Sequence, residues 1–203
     1  MESTESVRSP AKRIEREPLE TVRVVLVRGD KILFLRKSLN SKMPLSWELP
    51  GGKIDGLKKG QDSTLEQQKE AAKKEVLEET NIDIKNLTIV NVETFNKRYE
   101  TVNEFDQVEL HKGIVHLFLV YVSDEDIAGI QVGKTLNASG KPEDHHDNYG
   151  WASVKDLPIL LKSVKNPISG REVKPLSRSS RHFAKLLQMV IGRKNRKRRK
   201  IQS

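Results

Sequence analysis

A glycine pair followed by an acidic helical run, within residues 50–82, constrains this chain more than any other feature. The pair (residues 51–52) ends a strand-like run, and the later part of the segment carries Glu75, Glu78 and Glu79. Their i, i+3, i+4 spacing puts three carboxylates on one side of a helix, where like charges repel. Because hard cations such as Mg²⁺ bind carboxylate oxygens and offset that repulsion, the segment predicts a metal-dependent phosphate site.

A solvated helix face is the competing interpretation, because charged runs on helices usually face water. The neighbouring apolar residues weigh against it. Leu65, Ala72 and Val76 are spaced i, i+7, i+11 and predict a narrow buried stripe. The glutamates flank this stripe rather than lying opposite it, so we expect them at the edge of a buried face, where a site is both anchored and reachable.

The segment resembles the Nudix box. That motif is a Gly, five residues, Glu, seven residues, Arg-Glu, an aliphatic, any residue, Glu-Glu, any residue, Gly and an aliphatic. Residues 60–82 match it with Gly60, then Glu66, then the run Lys-Glu-Val-Leu-Glu-Glu-Thr-Asn-Ile that ends at Ile82. The resemblance implies an α/β protein with the Nudix fold, an α/β/α sandwich with a central mixed β-sheet and the catalytic loop-helix motif.

Three departures from the family pattern bear on activity. Lys74 replaces Arg, Asn81 replaces Gly, and an insertion follows Asp55, so that the pair 51–52 fills the family's glycine turn while Gly60 matches only by count. Asn tolerates the left-handed conformation, so Asn81 can still end the helix. Lys is a point charge rather than a planar fork, so we expect looser orientation of the glutamates near Lys74.

The resemblance also implies a site and a cofactor. Mg²⁺ or Mn²⁺ is expected on the carboxylates of Glu75, Glu78 and Glu79 and on the carbonyl of Gly52. The expected catalytic residues are Glu75, Glu78 and Glu66, with Glu66 anchoring the catalytic loop or a ligand and with Glu75 or an acid near Asp147 taking the proton of water. The expected substrate contacts are Arg36, Lys37, Asp147 and Tyr99.

Several of these assignments leave alternatives open. For Arg36 and Lys37 the pattern favours ordinary exposed strand-end charges, and a single Tyr99 in a loop carries little information. A carboxylate just before Trp151 is expected as a ligand or base, with Asp144 and Asp147 as candidates. Glu143, His145 and His146 lie too close to be ranked by chemistry.

The rest of the chain supplies strands for a sheet. TVRVVLV and KILFLRK read as a hairpin around a Gly29-Asp30 turn, and IVHLFLVYV predicts a central strand. We expect His116 and Trp47 to belong to the core. LTIVNVETFNKRYE predicts a strand leading into a loop, and residues 161–176 predict a loop. Phe183, Leu186, Leu187 and Val190 predict a C-terminal helix.

Charge divides the chain unevenly. The net charge is +9, and seven Lys and Arg residues lie within residues 193–200, so the rest carries +9 − 7 = +2. We expect a flexible arm (1–19), a Nudix hydrolase domain (20–190) and a basic tail (191–203). The absence of cysteine excludes disulfides and thiolate chemistry. No apolar run approaches a membrane span and no signal peptide is evident, so we expect an intracellular protein, in the cytoplasm or the nucleus, that makes no membrane contact.

Three functions fit these observations. The first is a metal-dependent pyrophosphohydrolase whose substrate is a nucleoside diphosphate linked to another moiety, such as a nucleoside triphosphate or a dinucleoside polyphosphate. The second is an RNA 5′-end or cap processing enzyme that contacts RNA through the basic tail. The third is a non-catalytic nucleotide-binding module, which the Lys74 and Asn81 departures would suit. The sequence leaves the oligomeric state open.

Overall fold

The computed structural model describes residues 13–39, 45–58, 60–102, 107–133, 146–153, 164–165 and 172–173. This part of the chain contains nine strands and one helix. In chain order they are β1 (Arg13–Glu15), β2 (Leu19–Arg28), β3 (Lys31–Lys37), β4 (Trp47–Glu48), α1 (Leu65–Thr80), β5 (Val90–Val102), β6 (Val108–Tyr121), β7 (His146–Ser153), β8 (Val164–Lys165) and β9 (Glu172–Val173).

A mixed seven-stranded sheet forms the centre of the fold. Strand β6 pairs with β2 in parallel and with β5 in antiparallel orientation, and its first residues pair with β1. Strands β2 and β3 form the expected hairpin, and β3 also pairs with β4 and β7. The prediction that residues 114–122 form a central strand is therefore confirmed for β6.

Two apolar layers lie on opposite faces of this sheet because successive strand residues point to opposite sides. Val22, Val24 and Leu26 of β2 pack on the face that α1 covers, with Ala72 and Val76 of the helix. The alternate residues of β2 belong to the second layer, which also contains the partly buried Trp47 and Phe95. The predicted C-terminal helix, with Phe183, Leu186, Leu187 and Val190, lies outside the described residues.

The ends of α1 follow from its sequence. Thr64 is the N-cap, and it forms a capping box with Gln67. Asn81 takes the left-handed conformation with φ of 59°, and its amide donates to the carbonyl of Leu77. The prediction that Asn81 ends the helix is confirmed. The predicted stripe is wrong at Leu65, which is 51% exposed, because the buried positions of α1 are Gln68, Ala72, Val76 and Thr80.

Three other sequence expectations differ from the structure. Strand β5 continues to Val102 without a loop because it pairs with β6 throughout, so Tyr99 lies within a strand. Arg13–Glu15 forms β1 inside the region expected to be a flexible arm, because it pairs with β6. Strands β8 and β9 pair with each other inside the stretch expected to be a loop. No helix in the described part of the chain has the length and apolar character to cross a bilayer.

Candidate active site

The glycine turn is fitted tightly against both β2 and α1. Gly51 has φ of +139°, a conformation that side-chain-bearing residues rarely adopt, and a Cβ there would collide with the carbonyl oxygen of Val22. A Cβ on Gly52 would collide with the carboxylate of Glu75. The amide of Val22 donates to the carbonyl of Gly52 at 2.9 Å, which fixes the turn on β2. The turn therefore brings backbone into direct contact with a helix carboxylate.

Glu79 lies behind this turn, and its side chain is only 15% exposed. Its Oε2 accepts a hydrogen bond from the amide of Gly51 at 2.8 Å, and its Oε1 lies 3.6 Å from Nδ1 of His146. Burial raises the pKa of Glu79 to about 8, because it outweighs the favourable charge of Arg23 and the Gly51 hydrogen bond. An acid of this kind stays largely protonated at neutral pH unless a cation lies beside it.

Glu75 lies one helical turn before Glu79 and faces Gly52. Burial and the nearby charge of Glu78 raise the pKa of Glu75 to about 7, against the opposing effect of Arg23. Glu78 itself is exposed. Perturbed carboxylates that meet beside a backbone turn are a recurrent mark of functional sites.

Arg23 of β2 connects these groups, and sequence reasoning did not single it out. Its guanidinium donates to the carbonyl oxygens of Leu49 (3.1 Å) and Gly51, and it lies 3.5 Å from the carboxylate of Glu48. Although burial would raise the pKa of Glu48, the charges and hydrogen bonds of Arg23, His146 and Lys37 lower it to about 2. A partly buried ion pair therefore lies next to the glycine turn.

In the described part of the segment before Trp151, His146 rather than Asp147 joins this cluster. His146 is 5% exposed, and its Nε2 lies 2.9 Å from Oε1 of Glu48. Asp147 pairs instead with Arg36 at 2.8 Å, at the bulge where β7 shifts its register against β3. The other candidates of that segment, residues 143–145, lie outside the described residues.

The remaining predicted residues lie around the cluster or away from it. Lys37 pairs with Glu48 at 3.1 Å, which places it beside Arg23. Lys74 pairs with Asp55 at 2.6 Å rather than with a glutamate of the helix. Glu66 is exposed in the first turn of α1, about 13 Å along the helix axis from Glu75 at 1.5 Å per residue. Tyr99 lies opposite His111 in the β5–β6 ladder.

The donor set suits a hard divalent cation in its chemistry. The carboxyl groups of Glu75 and Glu79 lie next to the turn and offer oxygen ligands. Their raised pKa values reflect burial and mutual repulsion, which a cation would offset. In the described residues no three Asp, Glu or His side chains converge as they would around a bound metal. Glu75 and Glu79 therefore supply carboxylate oxygens of the right chemistry beside the turn, as part of a ligand set.

A basic cavity of about 400 Å³ lies along β5 and β6. Its lining includes Lys97, Arg98 and Lys112, and the last two lie directly opposite each other in the ladder, where like charges repel. Burial lowers the pKa of Lys97, and the charges of Arg23 and Lys37 lower it further. Lys97 thus connects this cavity electrostatically with the cluster around Glu48.

Sequence reasoning missed Arg23 and Glu48 as members of the site, and it left His146 unranked among its neighbours. A cation inside the apolar run TVRVVLV was the one available signal, because a charge in a buried strand needs a partner. The pairing of Glu48 with His146 joins residues 98 positions apart, which no local pattern reveals.

Comparison with known proteins adds a family and a fold. The sequence profile of the NUDIX domain matches residues 18–171. No curated protein matches the chain. A mutT/nudix family protein of Listeria innocua is 16% identical, with a TM-score of 0.52 over 88% of this chain and 98% of that one.

Two further solved structures are similar. The MutT protein of Methanosarcina mazei Go1 is 22% identical, with a TM-score of 0.50 over 88% of this chain and 96% of that one. An Ap4A hydrolase of C. elegans is 23% identical, with a TM-score of 0.45 over 68% of this chain and 82% of that one. At these identities the first two likenesses show the fold.

Proposed function

This chain belongs to the Nudix family and is a hydrolase of phosphoric anhydride bonds, and from that premise we propose its reaction. The substrate is a nucleoside diphosphate linked to another moiety, such as a nucleoside triphosphate or a dinucleoside polyphosphate. The reaction depends on Mg²⁺ or Mn²⁺ and releases a nucleotide and a phosphorylated remainder.

The contact of Gly52 with the carboxylate of Glu75, next to buried Glu79, is the observation that carries this proposal. The backbone of the glycine turn meets two carboxyl groups with raised pKa values at one point. A helix face that only contacts water would not require this contact. Glu75, Glu78 and Glu79, with the carbonyl of Gly52, are the residues that would hold the cation. That carbonyl already accepts from Val22, and its second lone pair remains for a ligand.

Each group near the turn has a distinct task in this reaction. A bound divalent cation supplies charge neutralisation for the phosphates and acidifies a water molecule. Glu75 faces Gly52 at the turn, which places a carboxylate oxygen where it can accept the proton of the attacking water. Arg23 holds the carbonyl of Gly51 and thereby keeps the turn in place against the helix.

The cations around Glu48 are proposed to receive the substrate phosphates. Lys37 and Arg23 both lie on this carboxylate, and Lys97 lies close enough for their charges to act on it. Arg36 is held by Asp147 at a half-exposed position and can exchange that partner for a phosphate. Tyr99 remains a proposed substrate contact on β5.

A substrate panel tests the proposal. Nucleoside triphosphates, dinucleoside polyphosphates, nucleotide sugars and capped RNA are each incubated with Mg²⁺ or Mn²⁺, and released nucleotide is measured. We expect metal-dependent cleavage that Glu79→Gln abolishes. Asp30→Asn, in the exposed β2–β3 turn, is the matched control and should retain full activity. Absence of cleavage by the intact protein across the panel refutes the proposal.

RNA 5′-end processing is the second candidate, and the basic cavity on β5 and β6 favours it. A strand of RNA leaving the cluster at Lys97 would meet Arg98 and Lys112 next. Deleting residues 193–203 and introducing Arg98→Glu should each weaken RNA binding and flatten its salt dependence. RNA affinity that survives both changes would exclude these two surfaces as the RNA contact.

A further inference from the structure

We propose that Glu20 is the positioning residue for the loop between the glycine turn and the helix, residues 54–63. Resemblance to the family motif assigned that anchoring to Glu66. The inference rests on the proposed function, because this loop carries the Nudix insertion and connects the turn at Gly52 to the carboxylates of α1.

Glu20 holds both ends of the loop at once. Its backbone carbonyl accepts a hydrogen bond from the amide of Ile54 at 3.1 Å, where the loop begins. Its carboxylate accepts from the amide of Ser63 at 3.1 and 3.3 Å and from the Ser63 hydroxyl, where the loop ends. One residue of β2 therefore contacts both ends of the ten-residue segment. These contacts offset the entropic cost of bringing the two ends together.

The carboxylate of Glu20 is itself fixed from the sheet. Its side chain is 8% exposed, and Nε2 of the buried His116 lies 2.9 Å from its Oε2. Nδ1 of His116 lies 3.0 Å from the hydroxyl of Thr94 on β5. Although burial would raise the pKa of Glu20, the hydrogen bonds from Ser63 and His116 lower it below its ordinary value. The carboxylate of Glu20 is thus ionised, and His116 fixes it from the sheet while Ser63 contacts it from the loop.

The loop end continues this network into the helix. Gln68 is buried on the inner face of α1, and its side-chain amide donates to the carbonyl (3.2 Å) and hydroxyl (3.0 Å) of Ser63. The chain of contacts from Thr94 to Gln68 therefore joins the sheet to the first turn of α1. Since a helix is rigid, fixing its first turn fixes the direction in which Glu75 and Glu79 meet the glycine turn.

Glu66 has none of these features. It is exposed in the first turn of α1, and its charge acts on Lys73 of the same helix. In the described part of the chain no hydrogen bond joins Glu66 to residues 54–63. The residue that matches the motif by count therefore does not make the contacts that Glu20 makes.

Hydrogen exchange measured by mass spectrometry on the full chain tests this assignment directly. Glu20→Gln should raise exchange in residues 56–64, because the amide cannot accept from Ser63 and His116 as the carboxylate does. Glu66→Gln should leave it unchanged. With a cleaved substrate, Glu20→Gln should lower kcat by about ten- to a hundred-fold, the range seen when a supporting hydrogen bond to an active-site group is lost. KM should change by less than about two-fold, because substrate contacts are untouched.

Thr94→Val is the matched control within the network. It removes the outermost contact of His116 and leaves the Ser63 contacts in place, so exchange in residues 56–64 should match the wild type. If Glu20→Gln does not fold, Ser63→Ala removes the loop side of the same contact and should give the same local rise in exchange. The double variant should then be no worse than either single change.

Two results would overturn the assignment. One is exchange in residues 56–64 that rises in Glu66→Gln and not in Glu20→Gln or Ser63→Ala. The other is a uniform rise over the whole domain with kcat and KM falling together, which marks Glu20 as a general stability residue. Because exchange needs no substrate, a chain that hydrolyses nothing would refute the proposed function and still leave the anchoring decided.

Discussion

Replacing Glu79 by Gln should stabilise the protein when no divalent cation is bound. In the folded chain the pKa of Glu79 is about 8, and in the unfolded chain it has the ordinary value of 4.5. A carboxyl group whose pKa is raised by folding favours the fold while it is protonated in both states. That contribution declines as pH rises from 4.5 and reaches its full loss near pH 8.

The magnitude follows from this interval. Between pH 4.5 and pH 7 the unfolded state gains about 1.4 kcal/mol per pH unit over the folded state, so Glu79 costs about 3 kcal/mol at pH 7. Gln has the same size and keeps an oxygen to accept from the amide of Gly51, so it removes the charge and retains the hydrogen bond. We expect a gain of about 3 kcal/mol at pH 7, about 5 kcal/mol at pH 8.5 and about 1 kcal/mol or less at pH 5.

Urea unfolding in EDTA at pH 5, 7 and 8.5 measures this gain. Asp30→Asn, an exposed change far from the cluster, should show no pH-dependent gain. Saturating Mg²⁺ should raise the unfolding free energy of the wild type and leave that of the Gln variant almost unchanged. The difference between the two free energies should therefore shrink or change sign. If Glu79→Gln raises the unfolding free energy equally at all three pH values, or lowers it at pH 8.5, the inference that folding raises the pKa of Glu79 is refuted.

Three further changes probe the same site and its support. Gly52→Ala should reduce turnover by at least about a hundred-fold, because its Cβ displaces the carboxylate of Glu75, and retention of activity would refute the tight fit. Glu48→Gln should flatten the acid limb of the stability profile. The pKa of Glu48 is about 2, so its contribution exists above pH 4.5 and is lost as pH falls towards 2, and an unchanged limb in acid titration would contradict this. Asn81→Ala should cost about 2 kcal/mol in urea unfolding, from the left-handed backbone and the lost 3.0 Å bond to the Gly129 carbonyl. Asn81→Gly should recover part of that loss, and equal stability of both variants would rule out the backbone explanation.

Local patterns predicted the elements of this fold well. The hairpin of β2 and β3, the central strand β6 and the end of α1 at Asn81 each follow from signals within a few residues. These signals are continuous apolar runs, a Gly-Asp turn and the tolerance of Asn for the left-handed conformation. The acidic stretch with its glycine turn likewise predicted where the carboxylates would gather. Such signals suffice when the cause lies within one turn or one strand.

Counting along a motif failed where the chain had changed length. Glu66 satisfies the spacing of the Nudix box, yet it is exposed in the first turn of α1. Glu20 meets Ser63 across 43 residues and His116 across 96, and only sheet pairing brings them together. After an insertion, the residue that matches a motif by count need not be the residue that makes the corresponding contact.

The segment of residues 50–82 therefore divides between the two levels. The sequence by itself predicted that a glycine pair and the glutamates of a helix would lie together, because residue type and helical period act locally. Only the tertiary structure decided that the side chain of Glu79 is largely shielded from water, that Arg23 and His146 lie near it, and that Glu20 contacts Ser63. Burial and long-range charge pairs set the pKa values of Glu48, Glu75 and Glu79. Both exist only after β2, β7 and α1 have packed together.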